Sequence, residues 1–260
     1  MKELHYLDSH AHIMAEEYQE DFEEMLKRAE DAHVDRIMII TLSHEETIRA
    51  LAFARRDPGR YKVAAGIFPE DVKNVSDEDW QVFEKTAADP EVTCIGEIGL
   101  DYYWEKNPEI RKLQREYFIR QIELAKKLNK PFLVHSRDAI QDTYDIMKAH
   151  HGRGLMHCYS GTKEMAREFV KLGYYIALGG AVTFKNARHS VEVCADIDEN
   201  YLLSETDCPY MAPVPKRGKR NEPSYIPYIV NKMAEVRGVS EEYMAEVIDR
   251  NWTRFLEGKE

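Results

Sequence analysis

The feature that most constrains this chain is an alternation. Short, apolar, β-rich runs recur between longer amphipathic stretches almost from end to end. Strand candidates fall at residues 4–9, 35–41, 61–66, 93–98, 131–135, 154–157, 174–178 and 201–205, eight in all. Between them lie helix-like segments such as Glu109 to Leu128, in which Leu113, Tyr117, Ile122, Leu124 and Leu128 recur broadly at helical spacing. Such alternation predicts a parallel sheet, and eight units within 260 residues predict its closure into a single-domain (β/α)8 TIM barrel. An open doubly wound sheet is the alternative, but no Gly-x-Gly-x-x-Gly follows the first strand. Beyond the eighth strand come a Pro-rich basic loop, Pro209 to Pro223, and two C-terminal helices, the last ending over Asp249 to Leu256.

Several classes are set aside by composition. No stretch approaches the roughly 20 apolar residues of a membrane span. The opening Met-Lys-Glu-Leu-His-Tyr-Leu-Asp is not a basic segment leading into an apolar run, so no secretory signal is read and a cytoplasmic location is expected. Cys94, Cys158, Cys194 and Cys208 are too scattered for a Cys-x-x-Cys site and are expected to be reduced and mostly buried. A net charge of -11 argues against a broad basic surface for duplex binding. Divalent cations at a barrel mouth would still reverse the sign locally.

The first candidate strand runs into Asp8-Ser9-His10-Ala11-His12, and side chains two apart on a strand share a face. Four further metal-competent residues sit at predicted strand ends: Glu97, His135, His157 and Asp207. Taken singly, each histidine reads as a hydrogen-bonded core residue. Taken together, four histidines and two carboxylates converge where barrel enzymes keep their active sites. Mixed imidazole and carboxylate donors suit zinc, manganese or cobalt, whereas magnesium favours oxygen and water. Six ligands exceed the needs of one catalytic ion, so two divalent ions are expected. His10, His12, Glu97 and Asp207 are assigned to the first and Glu97, His135 and His157 to the second, with Glu97 as the bridge.

These segments also carry a family resemblance. Asp-Ser-His-Ala-His, Gly96-Glu97-Ile98-Gly99-Leu100-Asp101-Tyr102-Tyr103, His135-Ser136-Arg137-Asp138-Ala139, His157-Cys158-Tyr159-Ser160-Gly161, Glu205-Thr206-Asp207-Cys208-Pro209-Tyr210 and Arg220-Asn221-Glu222-Pro223 occur in the order seen in the TatD metal-dependent nucleases, and the chain resembles that family nearly end to end. The resemblance implies a two-metal hydrolase tested on DNA ends, with 3'-5' exonuclease polarity. One departure stands out: where the family often carries His-Pro-His after its third strand, this chain has Phe68-Pro69-Glu70.

Within that frame Asp207 is the expected proton acceptor and Glu97 the second catalytic carboxylate. Glu205 is expected to orient a ligand histidine or to be a buried, hydrogen-bonded carboxylate. Ser136, Arg137, Lys185, Arg217, Arg220 and Asn221 are the expected phosphate contacts, with Lys216 and Lys219 on the same basic loop. Tyr102, Tyr103 and Trp104 are candidates for base stacking, with packing the expectation for at least two of them. The expected substrate is single-stranded or frayed DNA. A small ester, amide or phosphate is the enzymatic alternative, and a non-enzymatic binding barrel is a further one.

Overall fold

The computed structural model describes residues 4–258. Its strands are β1 (Tyr6–Ala11), β2 (Val34–Thr41), β3 (Tyr61–Ala65), β4 (Val92–Asp101), β5 (Phe132–Arg137), β6 (Gly154–Met156), β7 (Tyr175–Leu178) and β8 (Leu202–Ser204). Helices α1 (Phe22–Asp31), α2 (His44–Ala54), α3 (Asp77–Ala87), α4 (Pro108–Lys127), α5 (Ile140–His150), α6 (Lys163–Lys171) and α7 (Arg188–Asp196) are the crossovers between successive strands. Two more, α8 (Ile226–Arg237) and α9 (Glu241–Glu257), follow β8. Neighbouring strands pair in parallel in the order β1 to β8, giving a TIM barrel. None of the described helices is long and apolar enough to cross a membrane. All four cysteines are free, and all but the half-buried Cys158 are buried.

The seam between β8 and β1 closes mainly at its upper end. Ala11 bridges Cys208 in parallel, Asp207 N–H donates to the His10 carbonyl (2.9 Å) and His12 N–H donates to the Cys208 carbonyl (2.9 Å). Closing the barrel therefore draws His10, His12 and Asp207 together. This pairing also extends β1 to Ala11, past the expected end at residue 9, since a polar motif that reads as a loop has a paired backbone.

Two bulges carry candidate donors. From Ile95 to Ile98 is three residues on β4, while the partners Phe132 and Val134 are two apart on β5, so one extra residue sits at Gly96–Glu97. The same excess occurs on β1 between Asp8 and Ala11, opposite Ile37 and Ile39 on β2. A bulge re-aims a side chain locally, and here the affected segments hold Glu97 and His10. β4 continues to Asp101 rather than ending at residue 98, so Glu97 lies within the strand and not at its end. Gly99 makes the continuation possible: its φ is +139°, and a Cβ there would come within 2.0 Å of the His135 carbonyl oxygen.

Helix α4 begins one residue earlier than expected, because Asn107 caps it by accepting from Glu109 N–H and Pro108 occupies its first turn. Its buried face includes Gln114 and Gln121, whereas Leu113 and Tyr117 are only partly buried. Gln114 accepts from Asp101 N–H (3.1 Å). Gln121 accepts from Ile67 N–H (2.8 Å) and donates to the Ile67 carbonyl (3.1 Å). The two amides satisfy backbone groups that leave the ladder at the tops of β4 and β3. They fix the segments carrying Asp101 and Phe68-Pro69-Glu70.

Candidate metal centre

Glu97 lies at the middle of the mouth, 3% exposed, with its two oxygens facing different neighbours. Oε2 lies 3.3 Å from His10 Nε2 and 3.5 Å from His12 Nε2. Oε1 lies 2.9 Å from His135 Nδ1 and 2.8 Å from His157 Nε2. Asp207 Oδ1 completes the first group, 3.8 Å from His10 Nε2 and 3.6 Å from His12 Nε2. The imidazole nitrogens also approach one another, at 3.3 Å between His10 and His12 and 3.3 Å between His135 and His157.

These separations match a coordination shell. Ligand bonds of about 2.0–2.1 Å place neighbouring donors roughly 3–3.4 Å apart in tetrahedral or octahedral geometry. Nitrogen lone pairs so close repel one another unless a cation or proton lies between them. His10, His12 and Asp207 form one group able to hold a metal ion, and Glu97, His135 and His157 another. The donor set therefore fits divalent metal.

The electrostatics reflect the same crowding. Burial would raise the Glu97 carboxyl, but His157, His10 and His12 hold it well below the usual range. Asp207 is likewise lowered against its burial, by His12, His157 and His10. Burial opposes the imidazolium forms, yet Asp207 and Glu97 push His12 up to about 9. Glu97 and Glu205 push His157 up as well. Burial and the neighbouring His157 leave His10 lowered. Without metal, protons on His12 and His157 balance the carboxylates, so metal uptake at pH 7 should release protons. Calorimetry in buffers of different ionisation enthalpy will show this release. Raised from 6.5 to about 9, His12 stabilises the metal-free fold fully below pH 6.5, and that contribution is lost as pH rises through 9. Apparent metal affinity should accordingly fall as pH drops below about 9.

Further polar groups orient these candidate donors. His135 Nε2 lies 3.0 Å from Asp101 Oδ2, and Asp101 Oδ1 accepts from the backbone N–H groups of Tyr103 and Trp104, both at 2.9 Å. Sequence reasoning misses Asp101, although it lies within the Gly96–Tyr103 segment. Its signal is its position four residues after Glu97, paired in register with Arg137, two beyond His135. Glu205 is buried beside His157, its Oε1 3.5 Å from Nδ1 while accepting from Cys158 N–H at 2.5 Å. It does not share a strand face with Asp207, because β8 stops at Ser204 and Asp207 has φ 55°. Asp8, also buried, accepts from the Thr206 N–H (2.9 Å) and hydroxyl (2.5 Å), tying the Asp207 segment to β1. Asp101→Asn is expected to weaken metal affinity by about 10- to 100-fold, read by competition with a chelating dye.

The expected phosphate contacts separate into two sets. Arg137, Lys185 and Arg217 are exposed; Arg137 lies over the Tyr103 ring (3.9 Å) and Arg217 over Phe184 (3.7 Å). The others are committed to the scaffold. The Ser136 hydroxyl bonds Thr143 of α5 at 2.9 Å. Arg220 pairs with Asp21 (2.7 Å) and covers the Tyr18 ring. Asn221 is fully buried, donating to the Thr206 (2.8 Å) and Tyr210 (2.6 Å) carbonyls, which removes it from contact with substrate. Glu222 receives Arg28 through Nε (2.8 Å) and Nη2 (2.7 Å). Arg220-Asn221-Glu222 thus clamps the loop that carries Asp207. Phe68 meets His135 edge to face at 5.0 Å, and Glu70 is raised by burial and by Asp101 while His135 opposes the rise.

Comparison with known proteins agrees with this geometry. The family model described as TatD related DNase matches residues 7–257. An uncharacterized metal-dependent hydrolase of Bacillus subtilis, YabD, is 40% identical over 252 residues, covering 96% of this chain and 98% of that protein. A protein of Cronobacter turicensis named 3'-5' ssDNA/RNA exonuclease TatD is 34% identical over 254 residues, covering 94% and 95%. The crystal structure of the TatD homologue YJJV from Escherichia coli superposes with a TM-score of 0.89 at 28% identity, covering 98% of each chain.

Proposed function

The chain belongs to the TatD-related DNase family of metal-dependent hydrolases, and from that membership we propose that it is a two-metal phosphodiesterase, removing nucleotides 3'-5' from single-stranded or frayed DNA ends. The observation that carries this reading is Glu97, whose two carboxylate oxygens each face a separate group of ligands. Divalent ions held there, whether zinc, manganese, cobalt or magnesium, would supply Lewis acidity toward a phosphoryl oxygen and toward water. His10, His12 and Asp207 would hold the first. His135 and His157 would hold the second, with Glu97 between the two groups.

Asp207 is the proton acceptor in this reading. Its side chain is 15% exposed, against 4% for Glu97, so among the carboxylates of the centre it is the one that meets water. Arg137, Lys185 and Arg217 give the mouth cationic groups in a chain whose net charge is -11. A site recessed at a barrel mouth suits a strand end better than the interior of a duplex. The exonuclease name of the Cronobacter turicensis relative supports the same choice and its polarity.

Of the small ester, amide or phosphate substrates that form the alternative, Phe68 and Glu70 favour an uncharged ester or amide at the same centre. The apolar ring and the carboxylate beside His135 narrow that side of the mouth and oppose an anion. End-labelled single-stranded DNA with manganese, with and without chelator, separates the two. The nuclease reading expects shortening from the 3' end that chelator abolishes. Intact DNA alongside turnover of small esters or amides would replace it.

A further inference from the structure

We infer that Trp104, with Arg137 and Tyr103, forms a subsite for a nucleobase of single-stranded nucleic acid beside the second ligand group, an inference that rests on the nucleic-acid reading above. Tyr102, Tyr103 and Trp104 follow β4 directly but do different things. Tyr102 is buried, its hydroxyl bonded to Asp142 at 2.7 Å. Tyr103 and Trp104 are 43% and 61% exposed, with their rings edge to face at 4.7 Å. The Arg137 guanidinium lies over Tyr103 at 3.9 Å and 5.5 Å from the Trp104 ring.

Three observations give this cluster an occupant. First, it is fixed to the metal centre: the Asp101 carboxylate that holds the Tyr103 and Trp104 N–H groups also bonds ligand His135. Second, Arg137 is two residues beyond His135 on β5, and residues so spaced share a face about 6.6 Å apart. Third, the charge is available. Arg28 and Arg220 are neutralised by carboxylates, whereas Arg137 meets rings and no carboxylate among the described residues. An exposed indole with an unneutralised guanidinium beside it fits a flat π-face joined to a phosphate, which is a nucleotide within a strand. Stacking requires an unpaired base, so the subsite selects single strands and leaves sequence open.

Fluorescence reports this subsite directly, because Trp80 and Trp252 are 3% and 2% exposed while Trp104 is 61% exposed. The test titrates the metal-loaded full chain with a phosphorothioate-linked single-stranded hexamer, and with the same hexamer made abasic at its three 3'-terminal positions. The base-bearing strand is expected to quench tryptophan emission and to bind at least about tenfold more tightly than the abasic one. Fluorescence anisotropy of labelled strands should show that preference falling below about threefold in Trp104→Ala and partly surviving in Trp104→Phe. Equal quenching and binding by the abasic strand, or a base preference that survives in Trp104→Ala, overturns the subsite. Wild-type cleavage of DNA without base preference removes the subsite and leaves the nuclease reading. Base preference without cleavage of the unmodified strand removes the nuclease reading and leaves the subsite.

Discussion

Glu97→Gln is expected to lower hydrolytic turnover by at least about 10^3-fold while the chain remains folded, because losing ion-mediated charge stabilisation removes several kcal/mol from the transition state. Glu97 is 3% exposed, with one oxygen turned to His10 and His12 and the other to His135 and His157. A carboxamide keeps the shape but offers one oxygen and an N–H2 group that cannot ligate, so only one group of donors stays complete. Metal content should fall to one ion or fewer per chain. Circular dichroism of the variant separates this loss from misfolding. Activity within tenfold of wild type would show that Glu97 does not bridge the centre.

Removal of metal should produce the largest change in stability. Four histidines and two carboxylates converge with donor atoms 2.8–3.8 Å apart, and without cations only protons on the histidines offset the repulsion among them. At free metal about 1,000 times Kd, binding to the native state alone contributes about 4 kcal/mol. In a chain of this size that corresponds to a rise in Tm of roughly 10 °C. Thermal melts with saturating manganese or zinc, and with chelator, measure the difference. Because His12 carries its proton up to about pH 9, the metal-dependent increment should be larger at pH 8.5 than at pH 6. Coincident melts with and without metal would show that these residues do not hold an ion in the native state.

How much of this was legible in the sequence depended on the scale of the feature. Each of the eight strands was foreshadowed by its apolar run, because buried parallel strands leave a continuous hydrophobic signature. The residues that converge at the mouth are marked in the sequence by chemical type, since few other roles place histidine after so many strands. Three things had no one-dimensional signal. The extra residues at Gly96–Glu97 and between Asp8 and Ala11 are properties of pairing between strands. Gln114 and Gln121 read as polar surface on α4, yet they are buried because the tops of β3 and β4 offer unpaired backbone groups at those points. Arg220 and Asn221 read as phosphate contacts by residue type, since cations and amides suit phosphate. Only the folded loop reveals Asp21 beside the first and the Thr206 and Tyr210 carbonyls around the second.

Anomalous scattering tests most directly whether two ions share Glu97. Crystals grown with manganese or zinc, measured at the absorption edge of the metal, should show two peaks roughly 3.5–4 Å apart. One peak is expected among His10, His12 and Asp207, the other between His135 and His157, with Glu97 contacting both. A single peak under saturating metal, or two peaks that do not share Glu97, would contradict a two-ion centre bridged by Glu97.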